Sequence, residues 1–135
     1  MNRAIELHDS TLQEIVASGR DRLLRFRPAY IHESEGTPGT DSGEGFTQDV
    51  DIILGNARVI EAPVAFPATV TDGRVTIGGI ESSNIIRLPL SEGRSVSFGA
   101  TTDRGETVRI DADSISISMR GVSHYVEPFA GSTDV

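Results

Sequence analysis

Arg22-Leu23-Leu24-Arg25-Phe26-Arg27-Pro28-Ala29-Tyr30-Ile31-His32-Glu33 is the stretch on which the fold turns. Leu24, Phe26, Tyr30 and His32 share one parity, and Arg25 and Arg27 share the other. Successive side chains of a strand point to opposite faces, so the first set is expected to face a core. Pro28 donates no ladder hydrogen bond and marks an edge position or a bulge. A bulge there reverses the parity beyond it, which leaves two orientations open for Tyr30 and His32.

Outward toward the C-terminus lies Glu33 to Gly45, a polar run rich in Gly, Ser and Thr and the longest candidate loop of the chain. Loops of that length in compact domains tend to carry function or to lack order. Phe46–Leu54 then reads as a strand, with Val50, Ile52 and Leu54 inward and Asp49 and Asp51 outward. If it pairs with Arg22–Glu33, Arg25 and Arg27 face Asp49 and Asp51 as exposed cross-strand ion pairs. Toward the N-terminus, Ser10–Ala17 supports two readings. One is a short helix capped by Ser10; the other is a strand from Thr11 to Ala17 joined to Arg22 by a tight hairpin.

The second half continues the strand pattern at Ala57–Ala62, Arg74–Ile77, Asn84–Leu90, Arg94–Ala100, Thr107–Ala112 and Ser114–Arg120. Gly-containing turns separate several of them. Ser114-Ile115-Ser116-Ile117-Ser118-Met119 alternates cleanly and carries no charge. As an exposed edge it invites pairing with another chain, unless the fold closes over it or places it centrally. The reading is all-β: one antiparallel β-sandwich or flattened β-barrel of about eight to ten strands, with at most one short helix. A single domain is expected over residues 1–129, followed by a frayed tail at 130–135.

The 135 residues suffice for a real core without a metal or disulfide staple. Cysteine is absent, which excludes disulfides, Cys-ligated zinc and thiol catalysis. The net charge of −8 repels phosphate backbones, so no nucleic-acid partner is expected, and a basic protein is the favoured one. No apolar run reaches bilayer length and no secretory h-region is found, so no membrane association and a cytoplasmic location are expected.

His8, His32 and His124 are the only histidines, each near a predicted strand end. Adjacent residues cannot take triad geometry, so His8-Asp9-Ser10 reads as turn chemistry. With Tyr30, Glu44 and Tyr125 the histidines define a candidate pocket, located where the Glu33–Gly45 loop meets the strand ends. A metal held by His8, His32 and His124 is the sharper alternative, but no short-range ligand spacing supports it and no cofactor is expected. Asp41-Ser42-Gly43-Glu44-Gly45 lacks the ligand pattern of a calcium loop, and Gly36-Thr37-Pro38-Gly39 lacks the Lys and helix of a phosphate loop.

No catalytic constellation emerges. The leading expectation is a non-catalytic binding module, for instance an acidic inhibitor or immunity-type protein acting on a basic partner. One alternative is a small metal-dependent or acid–base enzyme using the strand-end histidines. Another is a self-assembling protein, or a homodimer, built through a strand edge.

Overall fold

The computed structural model describes residues 1–131, and among these no helix occurs. The strands are β1 (Asn2–Glu6), β2 (Thr11–Ser18), β3 (Asp21–Ser34), β4 (Gly43–Gly55), β5 (Arg58–Glu61) and β6 (Ala68–Ile77). They continue as β7 (Ile80–Ser83), β8 (Ile85–Leu88), β9 (Ser91–Glu92), β10 (Val96–Thr102), β11 (Thr107–Ala112) and β12 (Ser114–Phe129). All twelve join one open antiparallel sheet in the order β5-β11-β10-β6-β2-β3-β4-β12-β9; β1 pairs with β3 and β8, and β7 with β6. The expected tail from residue 130 falls mainly on residues 132–135, outside the described residues. Ala130 accepts a hydrogen bond from Ser42 Oγ at 2.9 Å.

The sheet doubles over on itself. Its core joins Leu24, Phe26, Val50, Ile52 and Leu54 from β3 and β4 to Val75, Phe98, Val108 and Ile110 from β6, β10 and β11. The two ends of the strand order therefore pack face to face, as in an all-β sandwich or flattened barrel. The strand count exceeds the expected eight to ten because β1 is not among the strands read in the sequence and two short elements join it: β7, exposed at all four positions, and β9, of only two residues. Neither leaves a periodic signal.

Residues Thr11–Ser18 form a strand, and Gly19-Arg20 closes the hairpin to β3. Gly19 has φ +59°, the left-handed conformation that a tight two-residue hairpin requires at its first central residue. Burial along β2 does not alternate: Leu12 is buried, Gln13 and Glu14 are exposed and Ile15 and Val16 are half-buried, because the register against β3 shifts between Leu12 and Glu14.

β3 bulges at Arg27-Pro28, where Phe26 faces Val50 but Ala29 faces Gln48. Two residues oppose one, and the parity reverses. Leu24 and Phe26 enter the core before the bulge, and Ala29 and Ile31 enter it afterwards. Tyr30 and His32 are thereby turned to the face opposite Leu24 and Phe26, the second of the two orientations that Pro28 leaves open. The Glu33–Gly45 loop is also shorter than expected: β3 runs through Ser34 and β4 starts at Gly43.

The arginines and aspartates of β3 and β4 meet differently from the sequence expectation. Arg25 turns to Glu14 on β2 at 2.9 Å, although it sits in register with Asp51. Arg27 Nη2 donates to Asp51 Oδ1 at 2.8 Å, and its Nε lies 3.8 Å from Asp49. Arg120 Nε on β12 donates to Asp51 Oδ2 at 3.0 Å. Asp51 is buried between the two guanidiniums rather than solvent-exposed.

Candidate functional site

The bulge in β3 gives the far end of the sheet a second covered face. There β1 lies on one side of β3, with Ala4 opposite His32 and Glu6 opposite Tyr30. β4 lies on the other side, with Gly45 opposite His32 and Thr47 opposite Tyr30. Beyond β4, β12 aligns Glu127 with Gly45 and Phe129 with Gly43. One face thus collects Glu6, Tyr30, His32, Glu127 and Phe129.

Gly45 makes this packing feasible. A Cβ there would overlap the Tyr30 hydroxyl, so only the bare backbone lets the phenol lie across β4 toward β12. Tyr30 Oη donates to Glu127 Oε1 at 3.0 Å. The His32 ring packs against Tyr30 at 5.0 Å and edge-on against Phe129 at 4.8 Å between centroids. His32 is consequently 4% exposed, and neither ring nitrogen has a hydrogen-bond partner. Its Nε2 lies 3.5 Å from Glu6 Oε1.

The turn from β1 to β2 brings His8 and Asp9 to the same place. Ser10 N–H donates to Leu7 C=O at 3.0 Å and closes the turn, with Asp9 at φ +71°. Asp is among the few non-glycine residues that tolerate this conformation. Asp9 N–H donates to Val70 C=O and Leu7 N–H to Asn84 C=O. Ser10, fully buried, donates from Oγ to Glu6 C=O at 2.6 Å and accepts Tyr30 N–H at 3.0 Å. Its hydroxyl is spent on backbone, as the turn reading of His8-Asp9-Ser10 implies. Glu6, His8 and Asp9 each place one donor atom within 4.8 Å of the others, and His8 Nδ1 lies 3.3 Å from Asp9 Oδ2.

The electrostatics of this face are acidic. Burial, the hydrogen bond to Glu127 and the nearby charges of Glu127, Glu6 and Asp9 push the Tyr30 hydroxyl up to about 12. Tyr30 therefore stays a neutral donor at ordinary pH. Arg3, on β1, is taken up by Glu33 at 2.9 Å and Gln48 at 3.1 Å.

Of the six residues expected to form a pocket, the structure joins His8, Tyr30 and His32 around Glu6. His124 sits opposite Thr47, on the same face but two strands from Tyr30, about 10 Å away at ordinary strand spacing. Among the described residues the donor atoms of His8, His32 and His124 do not gather within reach of one ion, so the alternative metal set His8, His32 and His124 gains no support. Tyr125 aligns with Phe46 on the opposite face and meets its ring edge-on at 5.6 Å. Glu44 aligns with Glu33, likewise on that opposite face and exposed. Glu6, Glu127 and Phe129 were missed. The spacing Glu6-x-His8, two residues apart on an extended chain, is the sequence signal that pairs the first of them with a histidine.

A second feature shares residues with this face. β12 is covered on its outer side only at its start, where β9 pairs with Ile115 and Ser116 and Leu90 C=O accepts Ile117 N–H. The alternating Ser-Ile segment is therefore no free edge. Gly121–Phe129 has β4 on one side and, among the described residues, no strand on the other. Val122, Tyr125 and Val126 on this run are 75%, 57% and 46% exposed. Comparison with protein families, with curated proteins and with solved structures finds no match for this chain.

Proposed function

We propose that the protein is a non-catalytic interaction module that receives an extended, basic segment of another protein along the Gly121–Phe129 edge of β12. The observation that carries this reading is the combination of an unpaired edge with exposed Val122, Tyr125 and Val126. Strand addition draws affinity from main-chain hydrogen bonds and specificity from alternate side chains. Exposed apolar side chains along such an edge mark a surface that binds something.

Charge supports a basic occupant. Glu127 lies on the edge, Glu44 faces Pro128 across it, and the β3–β4 loop that holds Ala130 carries Glu35 and Asp41. Arg120, at the start of the run, is engaged by Asp51. The register breaks after Arg120 and Tyr125 twist the edge, which disfavours pairing with an identical bulged copy. A cysteine-free chain accords with a cytoplasmic setting, and no helix of the structure is long and apolar enough to cross a membrane.

The test uses synthetic peptides of alternating arginine and valine, with glutamate–valine peptides as the control. Binding of the arginine peptide, weakened by salt and removed by the double variant Tyr125→Lys/Val126→Lys, is the expected result. Equal binding of both peptides, or binding that survives the double variant, overturns the reading. A concentration-dependent dimer of the chain alone that the double variant dissolves would assign the edge to a second copy instead.

A further inference from the structure

We propose that Glu6, His8 and Asp9 form a site for one first-row divalent metal ion of the zinc class, with buried His32 holding the Glu6 carboxylate in place. Its three ligands lie on β1 and the β1–β2 turn, outside the β12 edge, and the proposal does not rest on what that edge binds, although Phe129 of the edge packs on His32.

Three observations converge on it. First, the donor atoms of Glu6, His8 and Asp9 already lie within 4.8 Å of one another, close enough to surround a single ion after small side-chain adjustments. Second, the backbone carrying them is fixed. The turn is closed by Ser10 N–H to Leu7 C=O, pinned to β6 by Asp9 N–H to Val70 C=O, and tied under Glu6 by Ser10 Oγ. Third, His32 is almost wholly buried, has no hydrogen-bond partner at either ring nitrogen, and places Nε2 3.5 Å from Glu6 Oε1. Buried polar atoms are partnered in the great majority of cases, and groups left without a partner call for a reason. A histidine that anchors a metal-bound carboxylate is such a reason: outer groups of this kind orient the ligands and are tuned by the ion's charge.

The donor set selects the ion. One imidazole and two carboxylates, with no thiolate, suit zinc and its first-row neighbours better than magnesium or calcium, which favour all-oxygen shells. His8 and Asp9 are side-chain exposed by 47% and 65%, whereas Glu6 is 25% exposed. The ion would therefore sit at the surface, with Glu6 as its inner ligand and water filling the open positions. It would take the place of the weak His8–Asp9 contact at 3.3 Å. It would also offset the negative charges of Glu6 and Asp9 that converge beside Tyr30.

The decisive experiment is calorimetric titration of the metal-free chain with ZnCl2, alongside MnCl2, CaCl2 and MgCl2. Expected is one zinc per chain, lost in His8→Ala and in Asp9→Asn and unchanged in His124→Ala. His32→Phe is expected to weaken zinc about 10- to 100-fold, the range for removing an outer-shell partner. Because His32 is buried and its variant can fail to fold, the unaltered protein is also titrated with Co2+ and followed by NMR of the histidine rings. Paramagnetic shifts far larger at His8 and His32 than at His124 are expected. Zinc binding that survives His8→Ala, calcium preferred over zinc, or cobalt shifts centred on His124 would each overturn the proposal.

Discussion

Arg27 donates from Nη2 to Asp51 Oδ1 at 2.8 Å at the point where β3 and β4 fall out of register. Arg120 closes on the other carboxylate oxygen at 3.0 Å, so one buried acid joins three neighbouring strands. Removing one member of a fully buried pair typically costs about 3–5 kcal/mol. Both arginines keep access to water, so Asp51→Ala is expected to cost less, about 2–3 kcal/mol. Arg120→Ala, on a side chain 54% exposed, is expected to cost under about 1 kcal/mol. Urea unfolding of the two variants checks the order; equal losses would mean that Asp51 does not depend on Arg27.

Ser10 gives a second prediction. Its buried hydroxyl donates to Glu6 C=O and accepts Tyr30 N–H, so Ser10→Ala strands two backbone groups at once. Each buried unsatisfied group costs about 1–3 kcal/mol. A loss of about 2 kcal/mol is expected, together with faster hydrogen exchange at the Tyr30 amide. Ser10→Thr keeps the hydroxyl and is expected to recover part of the loss.

Tyr30 links the site to pH. Its hydroxyl is raised from the ordinary 10 to about 12, foremost by burial and then by Glu127. The folded state holds this proton more tightly than the unfolded chain. The resulting stability is fully present below pH 10 and is lost as pH rises through the window from 10 to about 12. Phenolate absorbance is expected to show the Tyr30 hydroxyl ionising late, and Glu127→Gln is expected to bring that titration down. A titration indifferent to Glu127→Gln would mean that burial alone sets it.

How much of this was legible in the chain can be read from particular residues. Val50, Ile52 and Leu54 alternate without interruption, and all three are fully buried as their parity requires. Ser114–Met119 alternates as cleanly, and Ile115 reaches the core with Ile117 and Met119 packed against it. Pro28 marked the bulge, because a residue without an N–H breaks the ladder wherever it falls. What lay beyond the bulge was not legible, since parity says nothing once the count of residues is in doubt. Glu127 and Phe129 lay hidden for another reason. Local pattern ends β12 at Arg120, and only the pairing with β4 carries it on to Phe129. Glu6 and His32 meet through the register of β1 against β3, a relation between segments far apart in sequence.

The bulge at Arg27-Pro28 works as a phase setting for everything downstream on β3. Side-chain identity decides what Tyr30 and His32 are, but a residue count decides which side of the sheet they occupy. Straightening the bulge at constant length would send Tyr30 and His32 inward and bring Ala29 and Ile31 out, whereas deleting one of its two residues would restore plain alternation and leave all four where they are. The candidate site thus depends on a backbone irregularity at a position it does not contain: the extra residue must stay looped out for Tyr30 and His32 to share a face with Glu127 and Phe129.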